Sequence, residues 1–530
     1  MSFISLKFIV FILIVIAIYF AIPKRFQWVC LLVASYVFYL FSGIAVALFL
    51  IFSTVSIFYT GRLLGRINDR YQTELAEGKE SLTKDQKKQL KDTVKKRKRL
   101  ILAAALLINF GILAFLKYFN FFAENVNSLL GIFNAGAQLP QLNLLLPLGI
   151  SFYTFQSAGY VIDVYRNKYK PDKNLAKFAL FVSYFPQIVQ GPISRYDQLA
   201  HQLYEPHSFD YTQVKYGIQL IAWGFFKKLV IADRAALLVN QVFNDHTQYA
   251  GLEILIAVIL YCVQVYADFS GGMDIAIGVS QSLGIKLTKN FERPYFARSI
   301  SEFWQRWHIT LSAWVRDYLF YPLCLSKAFV KLGKFSRKYL GNYVGKILST
   351  CLVTVIAFIT IGIWHGASWK YVAYGLYNGG LITSALLLTP LFNRANKHIN
   401  TKSFWWRLFQ TLRTLLLVCI GRYFSRSASL MGALHMMKST VSVFNPEIIF
   451  NGRLFELGLN QANFIVLIIS VVLLFFVSLM QEKGFSIREK LGKQKIVWRW
   501  SVYFLVLFAI IIFGIYGTGY NASAFIYRGF

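Results

Sequence analysis

Apolar runs alternate with polar, mostly basic stretches along the whole sequence. The longer runs approach the roughly 20 residues that a helix needs to cross a hydrocarbon core about 30 Å thick. The shorter ones can extend into flanking residues or re-enter without spanning. The pattern predicts an all-α polytopic membrane protein with about eleven to thirteen membrane helices or re-entrant segments. The runs are Ile4–Ile22, Val29–Phe41, Ala45–Tyr59, Ile101–Leu116, Leu144–Val161, Ile218–Ile231 (interrupted by two lysines), Ile254–Val265, Leu348–Ile363, Val372–Leu388, Leu412–Ile420, Phe464–Val477 and Val502–Gly514.

The composition supports the same class. Apolar residues make up 56% of the 530 residues, aromatic residues make up 17%, and the mean hydropathy is +0.49. Soluble domains contain only about 45–50% apolar residues. The first run has no basic start and no small-residue cleavage site, so it is predicted to be a retained helix rather than a cleaved signal peptide.

The net charge of +32 is concentrated in loops between the apolar runs. Short basic loops beside membrane helices mark the cytoplasmic side and attract anionic lipid headgroups. Membrane lipid, rather than nucleic acid, is therefore the predicted partner of this charge. The basic clusters are Lys84–Arg99, Arg166–Lys177, Ser326–Lys346 and Glu482–Lys495.

One basic cluster follows a helix-start signal. Thr83 and Gln86 fit a capping box, which predicts a helix that begins here and runs into the apolar segment at Leu100. A solvated cytoplasmic helix is the simple interpretation. Docking of an anionic carrier or a nucleotide is the alternative.

Two apolar stretches contain residues that favour a break in a helix. Tyr184–Leu199 contains two prolines and a glycine, and Asp268–Gly278 contains two acids and two adjacent glycines. Backbone groups freed by a break need partners inside a membrane, and intramembrane carboxylates normally face the protein interior or a wet cavity. Both stretches are predicted to be broken or re-entrant and to line a polar cavity.

Two of the seven histidines lie in apolar, aromatic surroundings. His365 lies in the middle of an apolar run, where imidazole is costly unless it has a partner or a task. His308 lies in Ser299–Leu323, a stretch with three tryptophans. On one continuous helix, Trp304, His308 and Leu311 would share a face.

Charged residues in the His308 stretch allow a second interpretation. Glu302 and Arg306 would be i,i+4 neighbours that can form an ion pair. A surface-lying amphipathic helix with aromatic anchors would have the same pattern.

Histidine is the chemistry-bearing residue that remains after other motifs are searched for. The sequence contains no nucleophile elbow, Walker loop or zinc-protease motif, and its five cysteines lack metal-ligand spacing. The cysteines are therefore predicted to be buried hydrophobes, and no metal site is predicted. A neutral imidazole can take a proton from a hydroxyl and return it to a leaving group, because its unperturbed pKa lies near neutrality. These residues suit acyl transfer from a thioester to an alcohol.

Four stretches, in this order, resemble the membrane-bound O-acyltransferase (MBOAT) family, in its bacterial branch of alginate and peptidoglycan O-acetyltransferases and teichoic acid D-alanyl transfer proteins. They are FPQIVQGPISRYDQL (185–199), YADFSGGMDIAIGVSQSLGIKL (266–287), RPYFARSISEFWQRWHITLSAWVRDYLFYPL (293–323) and GIWHGASWKYVAYGLYNG (362–379). AIPKRFQWVCLLVASYVFYLF (21–41) and the C-terminal FIYRGF (525–530) are also similar to family sequences, so the resemblance covers nearly the whole chain.

The resemblance implies an architecture. The MBOAT fold is a ring of tilted helices with re-entrant segments around a thinned centre, where a central tunnel joins a cytoplasmic entrance to an outer one. Residues 1–530 would form a single membrane domain. Its parts would be N-terminal helices (1–60), a basic cytoplasmic segment (61–100), a catalytic core (101–390) and C-terminal helices (391–530).

The resemblance also implies an activity in the cytoplasmic (inner) membrane of a bacterium. An acetyl group would move from a cytoplasmic thioester, acetyl-coenzyme A or an acyl carrier protein, to hydroxyls of an exported cell-surface polysaccharide. The acceptor would be an alginate-like exopolysaccharide or peptidoglycan, reached directly or through an extracytoplasmic acyltransferase partner. No bound cofactor is expected.

The resemblance assigns the two histidines roles. His365, in the WHG motif, corresponds to the catalytic histidine and would be the general base. His308 corresponds to a second functional position and would position the acyl carbonyl or donate to the developing oxyanion. Asp268 and Asp274 would orient a histidine or hold the polar network of the cavity.

Further candidates lie in the same motifs. The cavity and substrate candidates, besides the two aspartates, are Trp304, Trp307, Trp364 and Asn378, and the donor-side candidates are Arg306, Arg316 and Asp317. For the donor-side residues, structural ion pairing at the cytoplasmic rim is the simpler interpretation, and contact with donor phosphates is the alternative.

Three other functions compete. D-alanyl transfer to teichoic acid from a carrier protein uses the same branch of the family. A polytopic glycan or lipid transporter would also contain broken helices and intramembrane acids, but it would leave its cargo without a new ester. A scaffold for envelope assembly would tolerate replacement of His365.

Overall fold

Helices form nearly every element of the computed structural model, which describes residues 1–133, 138–516 and Phe525. They are α1 (Leu6–Ala21), α2 (Gln27–Leu40), α3 (Ile44–Glu77), α4 (Lys84–Ile132), α5 (Ile150–Tyr165), α6 (Leu175–Ser183), α7 (Phe185–Ile188), α8 (Tyr196–Tyr204), α9 (Tyr211–Phe225), α10 (Asp233–Asn244), α11 (Leu252–Ser282), α12 (Ile300–Arg306), α13 (Ile309–Val315), α14 (Tyr321–Cys324), α15 (Lys327–His365), α16 (Trp369–Leu387), α17 (Thr389–Asn396), α18 (Phe404–Arg426), α19 (Leu430–Ser442), α20 (Gln461–Glu482), α21 (Ile487–Gly492) and α22 (Ile496–Phe513). The predicted all-α class is confirmed. Apart from Phe525, the C-terminal FIYRGF motif lies outside the described residues.

Each predicted apolar run lies wholly or for the most part in helical structure. Within the described ranges, α3, α4, α11, α15, α20 and α22 are long and apolar enough to cross a membrane, and the pair α16–α17, bent by 58°, would add a seventh span. The remaining runs form shorter or less apolar helices such as α1 and α5, which accounts for the difference from the eleven to thirteen segments predicted. The chain is a multi-pass membrane protein.

The predicted capping box is present at the start of α4. The Gln86 backbone N–H donates to Thr83 Oγ1 (3.3 Å), and the Thr83 backbone N–H donates to Gln86 Oε1 (2.9 Å). The helix then runs unbroken for 49 residues, through Leu100. Most of the basic segment predicted at 61–100 is therefore helical, as the end of α3 and the beginning of α4.

Contacts divide the chain into two compact units. The first comprises residues 1–215 and 279–287, and the second comprises residues 216–278 and 288–530. The single membrane domain and the four parts expected within it stay a prediction.

In the first unit, the proline-containing stretch is broken as predicted. Helix α6 ends at Ser183, the short α7 follows, and the chain is irregular until α8. The Phe185 backbone N–H donates to Ser35 Oγ (3.1 Å), and Gln156 Nε2 donates to the Phe181 carbonyl (2.8 Å). Buried side chains thus supply the partners that a broken helix needs in apolar surroundings.

The break predicted at Asp268–Gly278 is wrong, because α11 runs through it without interruption. In the second unit, the glycines serve close packing of α9 against α11. A Cβ at Gly271 would lie 2.9 Å from the Gly224 carbonyl oxygen, and one at Gly278 would lie 2.6 Å from the Gly217 carbonyl oxygen. Small residues let helix backbones approach in a membrane protein, and here they do so without breaking the helix.

Glycines also allow close packing of α15 against α16, the helix pair that carries the WHG motif. A Cβ at Gly362 would lie 2.2 Å from the Tyr371 carbonyl oxygen, and one at Gly375 would lie 2.5 Å from the Phe358 carbonyl oxygen. The two helices are joined by a turn of only three residues, 366–368. The position of the end of α15 is therefore fixed by backbone-to-backbone packing.

We expect Gly224→Ala to destabilise the protein. A Cβ at Gly224 would lie 2.6 Å from the Gly271 carbonyl oxygen, and overpacking a fixed backbone costs about 1–3 kcal/mol. Gly380→Ala is the matched control, because a Cβ there meets nothing within 4 Å and alanine favours a helix by about 1 kcal/mol. Thermal unfolding in detergent, followed by circular dichroism, measures both. Equal melting temperatures for the two variants would contradict the packing argument.

Candidate active site

The stretch around His308 folds as two short helices with a break between them, so the single helix predicted there is wrong. Helix α12 ends at Arg306, Trp307 forms an isolated antiparallel bridge with Phe291, and α13 begins at Ile309. His308 itself has a left-handed backbone, with φ +47°. The face expected to be shared with Trp304 therefore does not exist. Non-glycine residues with positive φ are uncommon and are concentrated at functional sites.

The alternative of a surface-lying helix is also wrong. His308 is 0% exposed, and Trp304 and Trp307 are likewise buried. The His308 ring packs against the rings of Phe269 (4.8 Å between centroids) and Trp364 (5.7 Å). The break in the helix directs these side chains toward the protein interior.

Asn290 fixes the proton of His308. Its Oδ1 accepts from the Thr310 backbone N–H (3.0 Å) and hydroxyl (2.8 Å), and it lies 3.2 Å from His308 Nδ1. Because Oδ1 is an acceptor only, Nδ1 carries the proton. Burial lowers the pKa of His308 to about 3, so the ring is neutral near pH 7 and its Nε2 is a hydrogen-bond acceptor.

This protonation state changes the expected role of His308. Donation to an oxyanion from Nε2 would need a doubly protonated ring, which burial disfavours. The geometry supports an acceptor, a group that receives a hydrogen bond or a proton. The role of His308 toward the developing oxyanion stays a prediction.

His365 ends α15 and is 6% exposed. Its ring is 5.0 Å from the Trp364 ring and 6.0 Å from the Tyr374 ring. The next residue, Gly366, leaves room for Tyr371, because a Cβ at position 366 would lie 2.3 Å from the Tyr371 ring. The Tyr371 ring in turn packs 6.4 Å from the His365 ring. The WHG motif thus ends a helix with its histidine held among aromatic rings.

Trp364 connects the two histidines. Its ring contacts both the His308 ring and the His365 ring. The two histidines to which the resemblance assigns roles therefore both contact one indole, although His308 lies between α12 and α13 and His365 ends α15.

Trp304 and Asn378 form the neighbouring wall. The Trp304 indole N–H donates to Asn378 Oδ1 (3.1 Å), and Asn378 Nδ2 donates to the Tyr374 carbonyl (2.9 Å). All three residues are buried. Asn378 therefore orients an indole whose ring packs 6.4 Å from the Tyr374 ring.

Asp268 and Asp274 are held by two consecutive buried lysines. Lys228 Nζ binds Asp268, and Lys227 Nζ lies 2.7 Å from Asp274. Lys228 also contacts Asp233 (2.8 Å). These contacts support the second expected role of the two aspartates, as part of a polar network.

The donor-side candidates form ion pairs. Arg306 binds Glu302 (2.8 Å), as the i,i+4 spacing predicted, and also Glu482 (2.9 Å). Arg316 pairs with its neighbour Asp317 (2.9 Å). The simpler interpretation, structural pairing, agrees with this geometry.

Known proteins share this sequence pattern. The family model of MBOAT, the membrane-bound O-acyltransferase family, matches residues 170–412. A probable alginate O-acetylase of Pseudomonas syringae pv. tomato is 31% identical over 458 residues, which cover 86% of this chain and 78% of that protein. The chain belongs to the membrane-bound O-acyltransferase family.

Two other relatives differ in the group or the acceptor that their names give. A peptidoglycan O-acetyltransferase of Helicobacter pylori is 31% identical over 374 residues, 65% of either protein. A teichoic acid D-alanyltransferase of Bacillus subtilis is 29% identical over 290 residues, which cover 54% of this chain and 69% of that protein. The protein is thus an O-acyltransferase, and the transporter and scaffold interpretations are set aside.

Sequence reasoning missed three features of the acyltransferase site. Asn290, which sets the tautomer of His308, is a polar residue in a loop and carries no motif of its own. The lysine pair 227–228 was visible as an interruption of an apolar run. Arg422, whose guanidinium lies 4.9 Å from the centre of the Trp307 ring, was visible as a charge just after the run Leu412–Ile420.

Cysteines and metal ligands add little to the acyltransferase site. The thiols of Cys262 and Cys419 lie 3.5 Å apart and are buried. Within residues 1–133 and 138–516, no three His, Cys, Asp or Glu side chains are grouped in a way that could hold a metal ion.

We expect Lys227→Met to destabilise the acyltransferase by about 3–5 kcal/mol, because it leaves the Asp274 carboxylate partly buried without its cation. The double variant Lys227→Met/Asp274→Leu should recover much of that loss, because both charges are removed. Chemical unfolding in detergent measures the cycle, with exposed Lys402→Met as the control. A single variant as stable as wild type would contradict the charge-pairing argument.

We expect Asn290→Leu to lower acyl transfer at least tenfold, since it frees the His308 ring and a misplacement of about 1 Å can cost on the order of 100-fold. Thr310→Val is the matched control, because it removes a different hydrogen bond to the same oxygen and leaves the ring contact in place. Initial rates and melting temperatures are measured together. Equal rates for the two variants at equal stability would show that Asn290 does not act through His308.

Proposed function

We propose that this acyltransferase moves an acetyl group from a cytoplasmic thioester, acetyl-coenzyme A, to a hydroxyl of an exported cell-surface polysaccharide. The acceptor is an alginate-like exopolysaccharide or peptidoglycan, reached directly or through an extracytoplasmic partner protein. The protein acts in the cytoplasmic membrane of a bacterium, with its basic loops on the cytoplasmic side.

The observation that carries this proposal is the placement of two buried histidines against one indole, Trp364. Both imidazoles lie among aromatic rings, where little water competes for their protons. Proton transfer by a positioned histidine contributes about 10²–10⁴ to a rate. Trp304, Asn378 and Tyr374 form the neighbouring wall of the site.

His365 acts as the general base in this mechanism. It takes the proton of the acceptor hydroxyl while that oxygen attacks the thioester carbonyl. The tetrahedral intermediate then collapses, the carbon–sulfur bond breaks, and His365 returns the proton to the leaving thiolate. The products are an ester and a free thiol, so no other reactant is needed.

His308 has a complementary role. Its neutral ring presents Nε2 as an acceptor, because Asn290 holds the proton on Nδ1. It can therefore hold a hydroxyl or thiol hydrogen and orient that group toward the carbonyl.

Relatives favour acetyl transfer within the family. The alginate O-acetylase of P. syringae matches 86% of this chain, and the D-alanyltransferase of B. subtilis matches 54%. D-alanyl transfer from a carrier protein to teichoic acid remains the second candidate, because a relative that matches about half of this chain is named for D-alanyl transfer to teichoic acid. The donor distinguishes the two functions.

We expect membranes that contain the wild-type chain to transfer radiolabelled acetyl groups from acetyl-coenzyme A to polysaccharide, and His365→Ala to reduce transfer at least about 100-fold. His398→Ala is the matched control, because His398 is exposed in a turn after α17. Both variants must reach the membrane at the wild-type level. D-alanyl carrier protein is supplied as donor in a parallel reaction.

Each outcome decides a part of the proposal. Equal transfer by wild type and His365→Ala would refute the role of His365. Transfer from D-alanyl carrier protein, with none from acetyl-coenzyme A, would replace the proposed function by the second candidate.

A further inference from the structure

Arg422 is a buried cation beside the candidate active site. It lies on α18, is 3% exposed, and its guanidinium lies 4.9 Å from the centre of the Trp307 ring. Trp307 immediately precedes His308 in the chain. Tyr374, whose ring lies 6.0 Å from the His365 ring, is also within electrostatic range of Arg422. The cation therefore lies against Trp307, close to the aromatic residues that surround the two histidines.

No Asp or Glu side chain neutralises the charge of Arg422. All 24 acidic side chains of the sequence belong to described residues, and none forms an ion pair with Arg422. Within the part of the chain that the structure describes, Nε and Nη2 of Arg422 are buried and have no hydrogen-bond partner. The groups near it are the side chains of Tyr261, Tyr295, Tyr374 and Cys262, which are of types that are neutral near pH 7.

Two other arginines of the same unit donate hydrogen bonds to neutral oxygens. Arg426, one helical turn further along α18, donates to Asn240 (2.6 Å), and Arg234 donates to the Val230 carbonyl (2.8 Å). Burying a charge without a partner costs several kcal/mol. Stacking on an indole offsets only about 2 kcal/mol of such a cost, so the arrangement calls for an anion.

The two free donors define which anion fits. Nε–H and Nη2–H point in the same direction from one edge of the planar guanidinium, as a fork. A fork of this kind binds two oxygens of one carboxylate or phosphate group. A lone neutral hydroxyl would satisfy only one of them.

We propose that Arg422 binds an anionic group of the substrate, a carboxylate or a phosphate, and holds that substrate beside the two histidines. The inference rests on the proposed function for the identity of the site and names the chemistry that the site selects. Carboxylates belong to acidic sugars such as uronic acids. Phosphates belong to the coenzyme A donor or to phosphate-linked polymers.

The fork also supplies specificity. A site built to hydrogen-bond a substrate group discriminates strongly against an analogue that lacks it, because its own polar groups are then left unpaired. We expect an acidic sugar or a sugar phosphate to bind, and the neutral sugar of the same size to bind at least about 100-fold more weakly.

The test measures binding to the purified full-length protein in detergent. D-glucuronate, glucose 1-phosphate and glucose are added over a concentration series at constant ionic strength, and the melting temperature is recorded. Glucuronate, glucose 1-phosphate or both should raise the wild-type melting temperature, and glucose should not. Arg422→Met should lose the shift.

Two further variants separate a binding defect from a folding defect. Arg422→Lys keeps the charge but not the fork, and we expect its apparent affinity for the anion to fall at least tenfold. Arg426→Gln removes a guanidinium from the same helix and should keep the full wild-type shift. Arg422→Lys decides the matter if Arg422→Met fails to fold.

The outcomes distinguish the sources of the anion. A shift with glucuronate alone assigns the fork to an acidic sugar of the acceptor, and a shift with glucose 1-phosphate alone assigns it to a phosphate group. No shift in wild type with either anion, or an undiminished shift in Arg422→Lys and Arg422→Met, would overturn the proposal. The measurement needs no turnover, so it stands apart from the His365 experiment, and His365→Ala should keep the shift.

Discussion

Neutralisation of buried charge is the constraint on which the second unit depends. Lys227 and Lys228 lie on a π-helical turn after α9 in which every residue is buried, and their ammonium groups bind Asp274 and Asp268 of α11. Removing one partner of such a pair leaves a buried charge, which costs far more than the pair contributes. The pairs therefore fix α9 to α11 at one register, and the glycines between those helices allow the approach that the pairs require.

The candidate site applies the same physics to neutral groups. His308 is surrounded by Phe269, Trp364 and Asn290, and these surroundings favour the neutral form of its ring. A buried base in its neutral form has a lone pair that can accept a proton, and it does not require a counterion in the free protein. The left-handed backbone at His308 directs the chain back inward just where the ring is needed. Strain of this kind persists when its surroundings over-determine it.

Much of this could be predicted from sequence. Periodicity and length predicted the helices, because apolar runs bounded by charge leave a membrane chain few alternatives. Local signals predicted the capping box at Thr83 and the break after Ser183. The false break at Asp268–Gly278 arose because paired glycines signal either a kink or a close helix contact, and only the neighbouring helix decides which. The tautomer of His308 depends on Asn290, which is 18 residues away, so no local pattern could reveal it.

Arg422 differs from the paired cations of the second unit because none of the chain's Asp or Glu side chains forms an ion pair with it. A fold that pairs Lys227, Lys228, Arg306 and Arg453 with carboxylates has the means to pair Arg422 as well. Leaving two parallel donors unpaired behind Trp307 carries a cost in the free protein. Such a cost is offset when substrate binds, so the free energy of neutralising Arg422 becomes binding energy that holds the acceptor or the donor against the histidines.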